Sequence, residues 1–129
     1  MRARGADVLV VEDDPDLAAL LEMILVDAGY GVRTAGDGAQ ALERVAEGMP
    51  AVILLDMRMP VMNGWEFARE FRARHGRAAP IVVVTAAENA QLRAQEIGAE
   101  DWLEKPFDLD AVLAAVARLA RGGERASPA

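Results

Sequence analysis

Three consecutive acids, Glu12-Asp13-Asp14, follow directly on the apolar run Val8-Leu9-Val10-Val11. The arrangement recurs with other polar groups. Asp56 follows Ala51-Val52-Ile53-Leu54-Leu55, Thr85 follows Ile81-Val82-Val83-Val84, and Lys105 stands just past Asp101-Trp102-Leu103. Carboxylates crowded onto one edge repel each other, which raises their pKa values unless a cation relieves them. A hard divalent ion bound by oxygens, such as Mg²⁺, gives that relief. The set then suits phosphoryl transfer. One carboxylate attacks phosphorus, the ion neutralises phosphoryl oxygens, an ammonium pairs with another oxygen, and a hydroxyl hydrogen-bonds a third. All of this requires that the four sites meet in space.

The elements that must bring them together alternate between strand and helix, five times. The first strand spans Asp7 to Glu12, and its continuous apolar run reads as buried on both faces. Asp14-Pro15 starts a helix, with Asp as cap and Pro in the first turn. Leu17, Leu20, Leu21, Ile24 and Leu25 form its inner stripe, and Gly29 ends it. Gly31 to Ala35 is a weaker strand. Asp37 caps a second helix, with Leu42, Val45, Ala46 and Met49 on one face. Ala51 to Leu55 is the third strand. A loop runs from Met57 to Asn63, and a third helix from Gly64 to Arg74, with Phe67, Ala68 and Phe71 inward. Pro80 to Thr85 is the fourth strand. The fourth helix, Asn89 to Ile97, has Leu92 and Ile97 as its large apolar anchors. Asp101 to Leu103 is a short fifth strand. Leu109, Val112, Leu113, Val116 and Ala120 mark the last helix. This alternation predicts an α/β fold, a parallel sheet with helices on both faces. Ligands in such folds bind at the carboxyl ends of the strands, where the polar groups stand.

Composition bounds the function. The 129 residues suit one domain, and 53% apolar content argues against disorder. There is no cysteine, so disulfides, thiolate metal sites and a cysteine nucleophile are excluded. The net charge of −7 disfavours direct contact with nucleic-acid phosphates. No apolar run is long enough for membrane insertion, and the basic start does not read as a signal peptide, so a cytoplasmic location is expected. Of the 14 basic residues, Lys105 is the sole lysine. A lysine that persists where arginine otherwise serves suggests a need for lysine itself.

Taken together, these motifs resemble the receiver domains of bacterial response regulators in two-component signalling. Val10-Val11-Glu12-Asp13-Asp14 resembles their acidic pocket. Asp56-Met57-Arg58-Met59-Pro60-Val61-Met62-Asn63-Gly64 resembles their phosphoacceptor loop. Thr85-Ala86 is similar to their switch threonine and its small neighbour, and Lys105-Pro106-Phe107 to their lysine with its following proline. The resemblance covers about Asp7 to Arg121. It implies a (βα)5 doubly wound, flavodoxin-like sheet of order 2-1-3-4-5. It implies Asp56 as the phosphoacceptor, with Thr85 and Lys105 holding phosphoryl oxygens. Mg²⁺, which Mn²⁺ can replace, would be bound by Asp13, Asp56, the backbone carbonyl of Arg58 and, mainly through water, Glu12. Thr85 and Trp102 would form the switch, Trp102 standing where Tyr or Phe is usual. Lys105-Pro106 would be a cis peptide. Arg58 and Ala87 lie where members tune hydrolysis of the phosphorylated state. The implied partners are a histidine kinase or histidine phosphotransfer protein and a downstream target or output domain, with homodimerisation through helix 4, strand 5 and helix 5 as an option. Residues 1–6 are expected to be an extension, 7–121 the receiver, and 122–129 a flexible tail or the start of a linker.

Plainer roles are expected elsewhere. Asp14 reads as a helix cap, Trp65 as packing, and Met57, Met59 and Met62 as loop packing. Trp102 is open between packing and switching. His75 reads as a solvated helix end. An aspartyl-nucleophile phosphatase of the haloacid dehalogenase type would place a second Asp two residues after the first. Arg58 stands there instead, and no cap domain fits in the length. Such a receiver would catalyse its own phosphorylation and dephosphorylation without being a turnover enzyme. A receiver that only scaffolds partners would lack part of the pocket.

Overall fold

In the computed structural model, residues 6–86 and 89–125 are described. The order is β1 (Asp7–Val11), α1 (Pro15–Asp27), β2 (Gly31–Ala35), α2 (Gly38–Glu47), β3 (Val52–Leu55), α3 (Gly64–His75), β4 (Ile81–Thr85), α4 (Ala90–Ile97), β5 (Asp101–Glu104) and α5 (Leu109–Arg125). All strand pairs are parallel, in the order β2-β1-β3-β4-β5. That is the architecture and strand order expected from the sequence.

Strand alternation divides the core into two layers. Leu9, Val11, Ile53, Leu55, Ile81 and Val83 face α2, α3 and α4, where Phe67 and Phe71 are fully buried. Val8, Val10, Val52, Leu54, Val82 and Val84 face α1 and α5, meeting Leu21, Leu25, Val112 and Val116. Both faces of the central strands are therefore apolar, which is why their sequences read as unbroken runs.

The caps act as the sequence indicates. The Asp14 carboxylate accepts from the amides of Asp16 and Leu17, and Asp37 accepts from Gln40. The helix faces differ in four places. Ala46 is exposed, and Met49 is exposed beyond the end of α2; its buried face is Gly38, Ala41, Leu42 and Val45. Leu92 is exposed, because α4 sits close to the sheet on the small residues Ala90 and Ala94. Leu109, the first residue of α5, is exposed as well. Finally, α5 continues through Gly122 and Gly123 to Arg125, so the first part of the expected tail is helical. The rest of that tail, 126–129, lies outside the described residues, as do residues 1–5 of the expected extension.

The edge strand β2 is tied in by a contact with no counterpart in the sequence pattern. The Arg33 guanidinium pairs with Asp7 at the start of β1 and donates to the carbonyls of Arg44 and Gly48 at the end of α2. The last carbonyls of a helix have no partner within it, and Arg33 supplies one to these two. Hydrogen bonds involving charged groups are worth about 1.5–3 kcal/mol, and this pair is only partly screened by water. Arg33→Ala is therefore expected to cost about 2 kcal/mol. The readout is a lower urea midpoint at unchanged slope; a midpoint equal to wild type would contradict the clamp.

Candidate functional site

Four of the five strands, β1, β3, β4 and β5, deliver polar groups to the carboxyl edge of the sheet. Glu12 follows β1 and is continued into the sheet by its amide, which donates to the Ala35 carbonyl at 2.9 Å. Asp56 follows β3, with its amide on the Val11 carbonyl at 3.0 Å. Thr85 is the last residue of β4 and is fully buried; its carbonyl accepts the Lys105 amide at 3.0 Å. These backbone bonds set the side chains at fixed heights above one edge.

Glu12 and Asp56 are buried, whereas Asp13 is exposed at the rim. One carboxylate oxygen from each of Glu12, Asp13 and Asp56 lies within 4.8 Å of the others, a set that could hold a metal ion. Lys105 Nζ lies 2.9 Å from Glu12 Oε1 and 3.4 Å from Asp56 Oδ2. One ammonium thus serves both buried carboxylates. Three carboxylates against one ammonium still leave a surplus of negative charge, of the size that a divalent cation cancels.

The local electrostatics follow. Burial pushes the Glu12 carboxyl up, helped by the neighbouring Asp56 charge; the hydrogen bond from Lys105 opposes but does not outweigh them. Burial alone would pull the Lys105 ammonium down. Its hydrogen bonds and charge pairing with Glu12 and Asp56 win, and it is held above its usual value.

The loop after Asp56 is shaped by close packing. Met57 is fully buried, and Met59 and Met62 pack against the same layer, so the methionines are packing residues. Gly64 donates its amide to the Met57 carbonyl at 2.9 Å. A Cβ on Gly64 would lie 2.7 Å from both the Asp56 carbonyl oxygen and Met57 Cα, so any side chain there would push on the Asp56 backbone. Val61 has φ +67°, unusual for a β-branched residue, and is exposed. A capping box, Asn63 with Glu66, starts α3 at the loop's end. The Asn-x-x-Glu spacing carried that signal in the sequence. The Lys105-Pro106 bond is cis, as the resemblance implied.

Other sequence candidates fall as follows. Arg58 is exposed, with its amide directed at Asp56 Oδ1 (3.4 Å). Trp102 pairs with Val83 across β4–β5, which puts it on the same sheet face as Thr85, and it is 40% exposed. His75 is not fully solvated; its ring packs on Phe71, with centroids 5.3 Å apart. Ala87 lies outside the described residues. Trp65 packs against the core layer, as expected, but also donates its indole N–H to Glu96, a contact the sequence did not reveal.

Comparison with known proteins settles the family. Residues 8–117 match the family model of the response regulator receiver domain. The chain belongs to that family. It is 42% identical over 117 residues to the DNA-binding response regulator MtrA of Mycolicibacterium smegmatis, covering 88% of this chain and 50% of MtrA. The chain thus spans about half the length of this curated relative. Among solved structures, the receiver domain of the Francisella response regulator 1452 superposes with a TM-score of 0.83 at 25% identity, over 90% of this chain and 97% of that one. Thermotoga maritima TrrA, solved in complex with Mg(2+)-BeF, gives 0.77 at 31% identity, over 88% and 98%. The protein is a receiver domain of two-component signalling, which disfavours the phosphatase reading. Among the described residues no helix is long and apolar enough to cross a membrane.

The raised Glu12 carboxyl predicts a pH effect in metal-free protein. Its neutral form is the one folding favours, so its contribution is fully present below the ordinary value of 4.5 and lost as pH rises through the higher folded value. Glu12→Gln mimics the neutral form at every pH. With chelator present, the variant's thermal midpoint is expected to match wild type near pH 4.5 and exceed it progressively toward neutrality. A gap that is constant with pH, or that favours wild type at neutral pH, would contradict this.

Proposed function

We propose that Asp56 accepts a phosphoryl group from the phosphohistidine of a partner histidine kinase or histidine phosphotransfer protein. The observation that carries this is the pairing of Lys105 with both Glu12 and Asp56, beside a third carboxylate. A buried aspartate held by a lone ammonium and flanked by acids suits an acceptor that needs added positive charge.

Mg²⁺, or Mn²⁺ in its place, fits the oxygen-only donor set: Asp13 and Asp56 as direct ligands, the Arg58 carbonyl as a third, and Glu12 through water. When bound, it supplies positive charge to the phosphoryl oxygens. The similar TrrA was solved with Mg(2+)-BeF, in keeping with this reading. The chain's own residues do the rest. An Asp56 carboxylate oxygen attacks phosphorus, and the P–N bond to the donor histidine breaks as the P–O bond forms. Lys105 leaves Asp56 Oδ2 to pair with a phosphoryl oxygen. Thr85 is drawn toward another. That shift opens room on the face of Thr85 for Trp102, which stands partly exposed there, to swing inward. The α4-β5-α5 surface, including Leu92, Trp102 and Leu109, then changes shape for a downstream target, an output domain or a second copy of this chain.

The catalysis is directed at the chain's own carboxylate, without steady turnover of an outside substrate. Residues 7–121 form the switching unit, acting in the cytoplasm. The DNA binding in MtrA's name is read as belonging to the half of MtrA that this chain does not match, in keeping with the charge of −7 here. Complete retention of the pocket residues speaks against a purely scaffolding receiver.

Wild-type protein given a small phosphodonor and Mg²⁺ is expected to incorporate phosphate, and chelation to stop it. Asp56→Asn should fall to background, and Lys105→Arg should be slower by at least about tenfold, because guanidinium and ammonium differ in reach and shape. Wild-type uptake by Asp56→Asn would refute the assignment.

A further inference from the structure

A polar clasp joins α3 to α4 at the far side of the acceptor loop. Trp65 is the residue after Gly64, and its indole N–H donates to Glu96 Oε1 at 2.7 Å. Arg93, one turn earlier on α4, pairs with the same oxygen at 3.5 Å. Its guanidinium lies over the Trp65 ring, 5.9 Å from the centroid. The Arg93 Nε is buried with no hydrogen-bond partner, so the guanidinium is held by the ring and Glu96. A groove of about 340 Å³ lined by Trp65, Ala68, Arg72 and Ile97 among others runs beside these contacts, so α3 and α4 are not closely packed along their whole length.

The two ends of the clasp differ in how firmly they are held. Trp65 is fixed. Gly64 packs on the Asp56 and Met57 backbone, the Asn63–Glu66 capping box locks the first turn of α3, and Phe67 and Phe71 are fully buried. By contrast, α4 has eight residues, and among them only Ala90 and Ala94 are buried. The methyl groups of Ala90 and Ala94 and the partly buried Ile97 give α4 a small apolar footing. Contacts made by long side chains then help to decide where α4 sits: Arg72 of α3 and Arg77 hold the Gly98 carbonyl at its C-terminal cap, and within the helix Arg93 and Glu96 meet Trp65.

We propose that Trp65, Arg93 and Glu96 form a latch that holds α4 in its resting place and so opposes the switch. The proposal rests on the reading of Asp56 as acceptor. A contact made in one of two states favours that state and weakens any ligand that selects the other. Trp65 is a positioning residue: it touches no reacting group and acts through α4. Releasing the latch shifts the balance toward the switched arrangement and tightens binding at Asp56.

The test uses Trp65→Phe, which keeps the ring and removes the donor, and Glu96→Ala, a surface change that removes the acceptor. Mg²⁺ plus beryllofluoride, whose tetrahedral shape copies a phosphoryl group, is titrated against each protein, with backbone amide NMR as readout. Both variants are expected to half-saturate at about fivefold lower beryllofluoride, the scale of the one Trp65–Glu96 hydrogen bond that each removes. Amide exchange across α4 should also speed up in the free variants, while α3 is unchanged. A role in stability alone would lower the melting temperature and leave the half-saturation point where it was. Unchanged or weaker beryllofluoride binding in both variants, with wild type responding normally, would overturn the latch alone. A wild-type protein that ignores Mg²⁺ and beryllofluoride, or an Asp56→Asn variant that responds as wild type does, would overturn the reading of Asp56 and the latch with it.

Discussion

Lys105 reaches from beyond β5 across the carboxyl edge of the sheet to Asp56 after β3 and Glu12 after β1. Buried carboxylates this close are unfavourable together unless a positive charge is shared between them. The single ammonium makes the arrangement tolerable without satisfying it. Glu12 still titrates above the usual range, and Asp13 adds a further negative charge at the rim. The fold thus holds a site of surplus negative charge that could hold a metal ion. Much else follows from keeping that site in place: the amides of Glu12, Asp56 and Lys105 that extend β1, β3 and β5, the buried Met57, and the Gly64 amide closing the loop.

The elements were legible because the central strands are buried on both faces. Val8 to Val11, Val52 to Leu55 and Ile81 to Val84 leave no room for polar alternation, and their lengths suit strands. Asp14 and Asp37 announced helix starts for a local reason, since a short carboxylate reaches the amides two or three residues on. The candidate site residues were legible as strand-end groups through the same feature: a polar residue at the end of an apolar run has to emerge at the strand's carboxyl end. The resemblance to receivers then supplied roles that position alone does not.

What was missed depends on contacts between distant segments. Helical periodicity gives Leu92 and Leu109 the look of anchors, but whether a helix buries leucine or alanine depends on how closely it approaches the sheet. Here α4 approaches on Ala90 and Ala94. Met49 fell off its face because α2 ends at Glu47, before the next turn. Gly122-Gly123 reads as a break, yet α5 runs through it to Arg125. Arg33 and Trp65 looked ordinary because their partners lie 26 and 31 residues away and have no local signature.

The central claim is that Asp56, among three neighbouring carboxylates, is the one that carries the phosphoryl group. An acyl phosphate is reduced by borohydride to an alcohol, which marks the modified residue permanently. Wild-type protein phosphorylated with a small donor and Mg²⁺, reduced, digested and sequenced by mass spectrometry should carry the mark at Asp56, with Glu12 and Asp13 unmodified. A mark on Glu12 or Asp13, or a protein that incorporates phosphate yet carries no reducible acyl phosphate, would contradict the account.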